Sequence, residues 1–184
     1  MRSVVCRLML VLAVLAAGIH SDLSTLSATT VVPDFTGRWK FDGVKTSNIV
    51  RESPGRFVAL TLGDECTIKQ TSDILTLYIV AGGLKIEATY RLDGKPSTNQ
   101  SPGPPGQAAI PIISTARWAA DVLHITTNSE SVLDGTKVPV ESLRRIWLTA
   151  EGNLATERRG TPAQVVSAGW SVYRRMQGEP VVVR

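Results

Sequence analysis

Cysteine is almost missing from this chain. Of its two, Cys6 falls in an apolar leader, so Cys66 stands alone downstream. One thiol cannot close an intramolecular disulfide, and the fold must be held by its own core. Histidine is equally scarce: His20 and His124 are too few and too far apart for an ordinary zinc site. No Gly-x-Ser-x-Gly elbow, phosphate-cradling glycine loop or Cys-x-x-Cys occurs. Asp and Glu are scattered mainly through turn-like segments. No catalytic residue, metal or cofactor is therefore expected. A strong charge of one sign is also lacking. The formal charge of +4 falls by two once Arg2 and Arg7 of the leader are set aside. So small a surplus points away from nucleic acid as a partner. No apolar run reaches the ~20 residues a spanning helix needs, so stable membrane insertion is not expected after the leader is removed. Long stretches of helical periodicity are missing too.

What is present begins with that leader. Arg2 and Arg7 precede an unbroken apolar run from Leu8 to Ala17, and Ala16-Ala17-Gly18 supplies small residues for cleavage. A later cut among Ser24 to Thr29 also fits. Residues 1–28 read as a signal peptide with a flexible N-terminal segment, and residues 29–184 as one domain. The expected destination is export, to the periplasm or the exterior. A mature chain of about 160 residues is the size of one domain and buries roughly 70% of its unfolded surface, which suffices for a core without staples.

Strand signals dominate the mature chain. Leu84, Ile86, Ala88, Tyr90 and Leu92 alternate with Lys85, Glu87, Thr89 and Arg91, a period of two that places one face on a core. Ile74–Val80 is apolar on both faces and should be more central. Further strands are expected at Phe57–Leu62, Glu65–Gln70, Ile110–Ala119, Val122–Thr127, Leu143–Ala150, Leu154–Arg159 and Gly169–Arg175. Turn chemistry at Gly82-Gly83, Asp93-Gly94, Ala120-Asp121, Asp134-Gly135 and Glu151-Gly152-Asn153 separates them. Short strands at this spacing predict an all-β antiparallel meander closing into a barrel of eight to ten strands. At most one or two short helices fit, within Gly43–Arg56 and from Thr161-Pro162 onward. Gly94–Gln107, rich in proline and glycine, reads as a long loop, either a flap over a barrel mouth or a solvated excursion. Asn99-Gln100-Ser101 within it matches a glycosylation acceptor.

Trp39, Trp118, Trp147 and Trp170 all fall on expected strands, with Tyr78, Tyr90 and Tyr173 on others. Such aromatics fill a core or line a ligand cavity. Cys66 shares a strand face with Ile68 and reads as a buried, inert thiol. Three arginine pairs, Arg144-Arg145, Arg158-Arg159 and Arg174-Arg175, should each send one guanidinium to either face of the sheet. An outward arginine would pair with Glu141 or Glu157. An inward one could bind a carboxylate, or stack on Trp39 and close the barrel.

Asp34-Phe35-Thr36-Gly37-Arg38-Trp39-Lys40 resembles the opening motif of the calycins, the lipocalins and fatty-acid-binding proteins, in which Gly-x-Trp starts the first barrel strand. From about Pro33 to Met176 the layout resembles bacterial exported lipocalin-like proteins. The pieces that carry this are Gly37-Arg38-Trp39-Lys40, Tyr90-Arg91-Leu92-Asp93-Gly94-Lys95-Pro96, Trp147-Leu148-Thr149-Ala150-Glu151-Gly152 and Val172-Tyr173-Arg174-Arg175. The Thr-Asp-Tyr motif of lipocalins is absent. The Arg-x-Tyr that closes fatty-acid-binding proteins is replaced by Ser171-Val172-Tyr173, and Gly43–Arg56 leaves little room for their two-helix lid. The resemblance implies a barrel that binds a small apolar or amphipathic molecule without catalysis. Its expected lining is Trp39, Tyr90, Trp118, Trp147, Arg145, Arg158 and Tyr173. The competing expectation is a barrel packed by its own side chains that acts through surface loops. An enzyme using the barrel mouth with His124 is a third.

Overall fold

The computed structural model describes residues 32–52, 61–101, 109–163, 166 and 168–177. The leader and the 102–108 segment lie outside the described residues. So does most of the strand expected at Phe57–Leu62; its described residues, Thr61 and Leu62, form a turn. Ten strands follow one another: β1 (Gly37–Phe41), β2 (Glu65–Gln70), β3 (Ile74–Ala81), β4 (Leu84–Arg91), β5 (Pro96–Ser101), β6 (Ile110–Ala119), β7 (Val122–Leu133), β8 (Thr136–Leu148), β9 (Leu154–Thr161) and β10 (Gly169–Arg175). All pair antiparallel in one sheet of order β4-β3-β2-β1-β10-β9-β8-β7-β6-β5, nearly closed into a barrel. This is the expected all-β meander.

Local chemistry explains the tight connections. Gly82 and Gly83 join β3 to β4 with φ of 55° and 85°, and Asp134 and Gly135 join β7 to β8 with φ of 50° and 80°. Two successive positive φ angles give the turn whose twist matches antiparallel strands. The single helix among the described residues, α1 (Gly43–Arg51), starts where Asp42 caps it: the Asp42 carboxylate accepts from Lys45 N at 2.9 Å. Thr46 ties this helix to β10, because its hydroxyl donates to Asp42 O at 2.7 Å and accepts from Val172 N at 2.9 Å.

Two expectations change. Pro96–Ser101 is not loop but a strand, paired over six positions with β6. Its residues carry no apolar alternation, which is why periodicity missed it. Its inward positions, Ser97 and Asn99, are polar because they bond to β4. Thr161, expected to cap a helix, instead ends β9, and the Thr161–Pro162 peptide is cis. Beyond it Val166 N meets Pro162 O at 3.1 Å, and residues 164, 165 and 167 of the short helix expected there lie outside the described residues.

The last gap, between β4 and β5, is bridged by side chains rather than by a backbone ladder. Asn99 Nδ2 donates to Thr89 O at 3.0 Å, while Asn99 Oδ1 accepts from Thr89 N at 2.7 Å. Ser97 Oγ accepts from Arg91 N at 2.9 Å. The Asn99 amide thus substitutes for one residue of ladder. It is buried, so the acceptor-like Asn99-Gln100-Ser101 triplet has its asparagine engaged inside the fold.

Candidate functional site

Strand parity sorts every side chain to one side of the wall. Cross-strand register aligns Trp39 with Cys66 and Arg175, Cys66 with Ile79, Ile79 with Ile86, and Ile125 with Arg144 and Arg158. Each set therefore shares the interior face.

One end of that interior is solid. Trp39 is fully buried and its indole N–H donates to Phe35 O at 2.9 Å. Phe35 packs on Trp118 at 5.3 Å between ring centroids, and the Arg175 guanidinium lies 4.6 Å from the Trp39 ring centroid. Arg175 Nη1 also donates to Thr36 O at 2.8 Å. A cation over an indole face, tied to the incoming chain, closes this end.

Tyr173 anchors the segment that runs into the barrel ahead of β2. Its hydroxyl accepts from Leu62 N at 2.8 Å and donates to Gly63 O at 3.1 Å. Thr61 Oγ1 bonds Ser171 Oγ at 2.7 Å and Thr156 Oγ1 at 3.1 Å. Glycine is needed at position 63, where φ is 72° and a Cβ would stand 2.2 Å from Val80 O.

Beside this segment lies a cavity of about 290 Å³. One wall is aliphatic: Ile79 and Ala81 of β3, Ile86 and Ala88 of β4, Ile112 of β6 and Ile125 of β7. The other is polar, with Thr127 of β7, Ser142 and Arg144 of β8, and Arg158 of β9; Tyr90, Asn99 and Thr61 complete the lining. Arg144 and Arg158 are direct cross-strand partners. Neither guanidinium forms an ion pair or hydrogen bond with a described residue, and no acidic residue is among the described residues lining the cavity. Arg144 Nε is buried and unbonded. Burial first, and then the facing Arg144 charge, hold the Arg158 guanidinium below its ordinary pKa, against an opposing effect of Tyr90. Two like charges facing each other across a pair of strands are destabilising.

On the outer face the arginines are paired with an acid, although Arg145 Nε, like Arg144 Nε, is buried and unbonded. Arg145 Nη1 meets Glu157 Oε2 at 3.1 Å, and Arg159 Nε donates to Glu157 Oε1 at 2.7 Å. Each arginine pair does send one guanidinium in and one out.

Of the residues expected to line a site, Tyr90 and Arg158 border the cavity. Trp39 and Trp118 belong to the closed end. Tyr173 is interior, with its hydroxyl committed to the 61–63 segment. Arg145 lies outside on Glu157, and Trp147 lies outside stacked on Trp170 at 5.6 Å. Both sit at the opposite parity from Arg144 and Ile146. Arg144 is the cavity arginine that sequence reasoning passed over. Trp147 and Leu143 make the outer face of β8 nearly as apolar as the inner one, so alternation could not choose between Arg144 and Arg145. Counting by twos from Ile146 would have found it only with the inner face already known.

Cys66 is buried, and burial pushes its thiol up to about 12, opposed by the Arg144 charge. His124 sits on the outer face between Arg117 and Arg145 in register; partial burial, then those two charges, hold its imidazole below its ordinary pKa.

Fold and site together define a ten-stranded antiparallel barrel, lipocalin-like in general shape, with one plugged end and a cavity under a cationic wall. No family model matches this chain, and no curated protein matches it at a significant level. No helix among the described residues is long and apolar enough to cross a membrane.

Proposed function

We propose that this chain is an exported lipocalin-like protein that binds a small apolar or amphipathic molecule inside its barrel, without catalysis. The observation that carries the reading is the 290 Å³ cavity, which is at the low end of the ~300–1,000 Å³ of small-molecule sites. A barrel filled by its own side chains would leave no such volume. The absence of catalysis is supported by the position of His124, on the outer face beside two arginines rather than in the cavity. Export is supported by the Leu8–Ala17 apolar run behind Arg2 and Arg7.

Native mass spectrometry of protein purified from its own host tests the binding. The expected result is a second species heavier by one small molecule, which is lost on denaturation. Protein that repeatedly emerges empty, and that takes up no amphiphile when challenged, would refute internal binding. N-terminal sequencing of the extracytoplasmic protein tests export, with a first residue between about 19 and 30 expected.

A further inference from the structure

We propose that Arg144 and Arg158 form a binding site for the oxyanion head of an amphiphile whose short apolar tail lies against the opposite wall of the cavity. The proposal rests on the internal-binding reading above and names the chemistry of its ligand.

The two walls carry the argument. Ile79, Ala81, Ile86 and Ala88 project from β3 and β4 on one side. Arg144 and Arg158 project from β8 and β9 on the other, in direct cross-strand register. The outward arginines of the same two strands close on Glu157, whereas the inward ones meet no acid among the described residues. Buried charge is ordinarily paired, and two cations side by side in a partly desolvated wall are costly. An oxyanion would satisfy both forks at once, since guanidinium geometry matches carboxylate and phosphate oxygens. It would also give the buried Arg144 Nε a partner. The Ser142 hydroxyl lies in the same wall as a further donor. Burial and mutual repulsion already weaken the hold of Arg158 on its proton, and a bound anion would reverse that.

Size narrows the class. At about 30 Å³ per water-sized group, the cavity takes roughly ten non-hydrogen atoms. That is the size of a medium-chain carboxylate, and of a short alkyl phosphate within a few atoms.

Calorimetric titration of the purified protein with octanoate, octyl phosphate and 1-octanol tests this, because the three share a tail and differ in the head. At least one of the anions is expected to bind ten-fold or more tightly than octanol, and which of them binds tighter assigns the head as carboxylate or phosphate. In Arg144→Met and Arg158→Met that preference should fall below three-fold while octanol binding changes little. Both variants without ligand should melt no lower than the wild type, since each removes one of two facing charges. The wild-type comparison needs no variant, so a substitution that fails to fold leaves the test intact. Equal affinity for octanol and both anions would overturn the anion site while leaving internal binding standing. Failure of all three to bind would overturn both readings.

Discussion

Removing one oxygen atom from Tyr173 should unfasten the segment that forms part of the cavity wall. The Tyr173 hydroxyl serves two buried backbone groups, Leu62 N at 2.8 Å and Gly63 O at 3.1 Å. Tyr173→Phe keeps the ring, its edge contact with Phe41 at 5.9 Å and nearly all apolar burial, so the hydrogen bonds alone are lost. Each lost bond costs about 1 kcal/mol net, and each orphaned buried group raises that toward ~1–3 kcal/mol. Two such groups give about 2–6 kcal/mol, with the lower end applying if cavity water reaches them. The Thr61–Ser171–Thr156 hydroxyl cluster stays in place, so the barrel should persist with a looser wall. A loss of ~3 kcal/mol in a domain of this size lowers Tm by roughly 6–12 °C. Urea denaturation followed by circular dichroism should show a lower midpoint with an unchanged slope, and Leu62 N–H should exchange faster. A loss below ~0.5 kcal/mol, or an unchanged Leu62 exchange rate, would refute the claim that this phenol anchors the segment.

Trp39→Ala should cost ~3–5 kcal/mol, because it empties the closed end and strands Phe35, Trp118 and Arg175 around a void; a melt within 2 °C of the wild type would remove Trp39 from the core. Asn99→Ala should open the β4–β5 seam at a cost of about 1–3 kcal/mol, with faster hydrogen exchange at Thr89 N as its signature; an unchanged Thr89 rate would mean that the strands hold together by other means. Stability should fall in alkali. The folded state keeps the Cys66 proton up to about pH 12, whereas the unfolded thiol loses it near 9, so between these values the native state holds more protons. The full loss is on the order of 4 kcal/mol by the top of that window. Tyr173, raised by burial, acts in the same direction above its own unfolded value near 10. Cys66→Ala should flatten the decline measured by denaturation between about pH 8.5 and 11.5, and a slope equal to that of the wild type would overturn the assignment.

Much of the wall was legible from alternation and turns. Glu65–Gln70, Ile110–Ala119 and Gly169–Arg175 match their expected bounds, because apolar residues on one face and turn residues at the ends both mark them. The β7–β8 hairpin runs further than expected, to Leu133 and back from Thr136. Its outer portion carries Asn128, Ser129, Glu130 and Ser131, which pair through backbone without burying an apolar row. Pro96–Ser101 was hidden for the same reason. Backbone hydrogen bonds leave no trace in composition when both faces are polar.

The candidate site divides along the same line. Arg158 and Tyr90 stood out as unusual residues on expected strands, and both border the cavity. Arg144 was concealed by its neighbour, since Arg-Arg reads the same from either side of the sheet. Trp147 attracted attention by its size, yet its parity carries it outside onto Trp170. Trp118 and Trp147 occupy similar sequence contexts ahead of hairpin turns but face opposite sides of the wall, so likeness of local sequence carried no likeness of role.

By itself, the sequence determined most of the strands, the hairpin turns and the need for a fold held by its core alone, because these follow from period-two burial, positive-φ residues and a lone thiol. It also set one arginine of each pair on each face, since adjacent strand residues must point apart. Which arginine goes inward depends on register across β7, β8 and β9, a relation among residues far apart in the chain. The tertiary structure decided that register, and with it the two choices that matter for function. It gave Glu157 to the outer guanidiniums and left Arg144 and Arg158 side by side in one wall of the cavity, opposite its aliphatic wall.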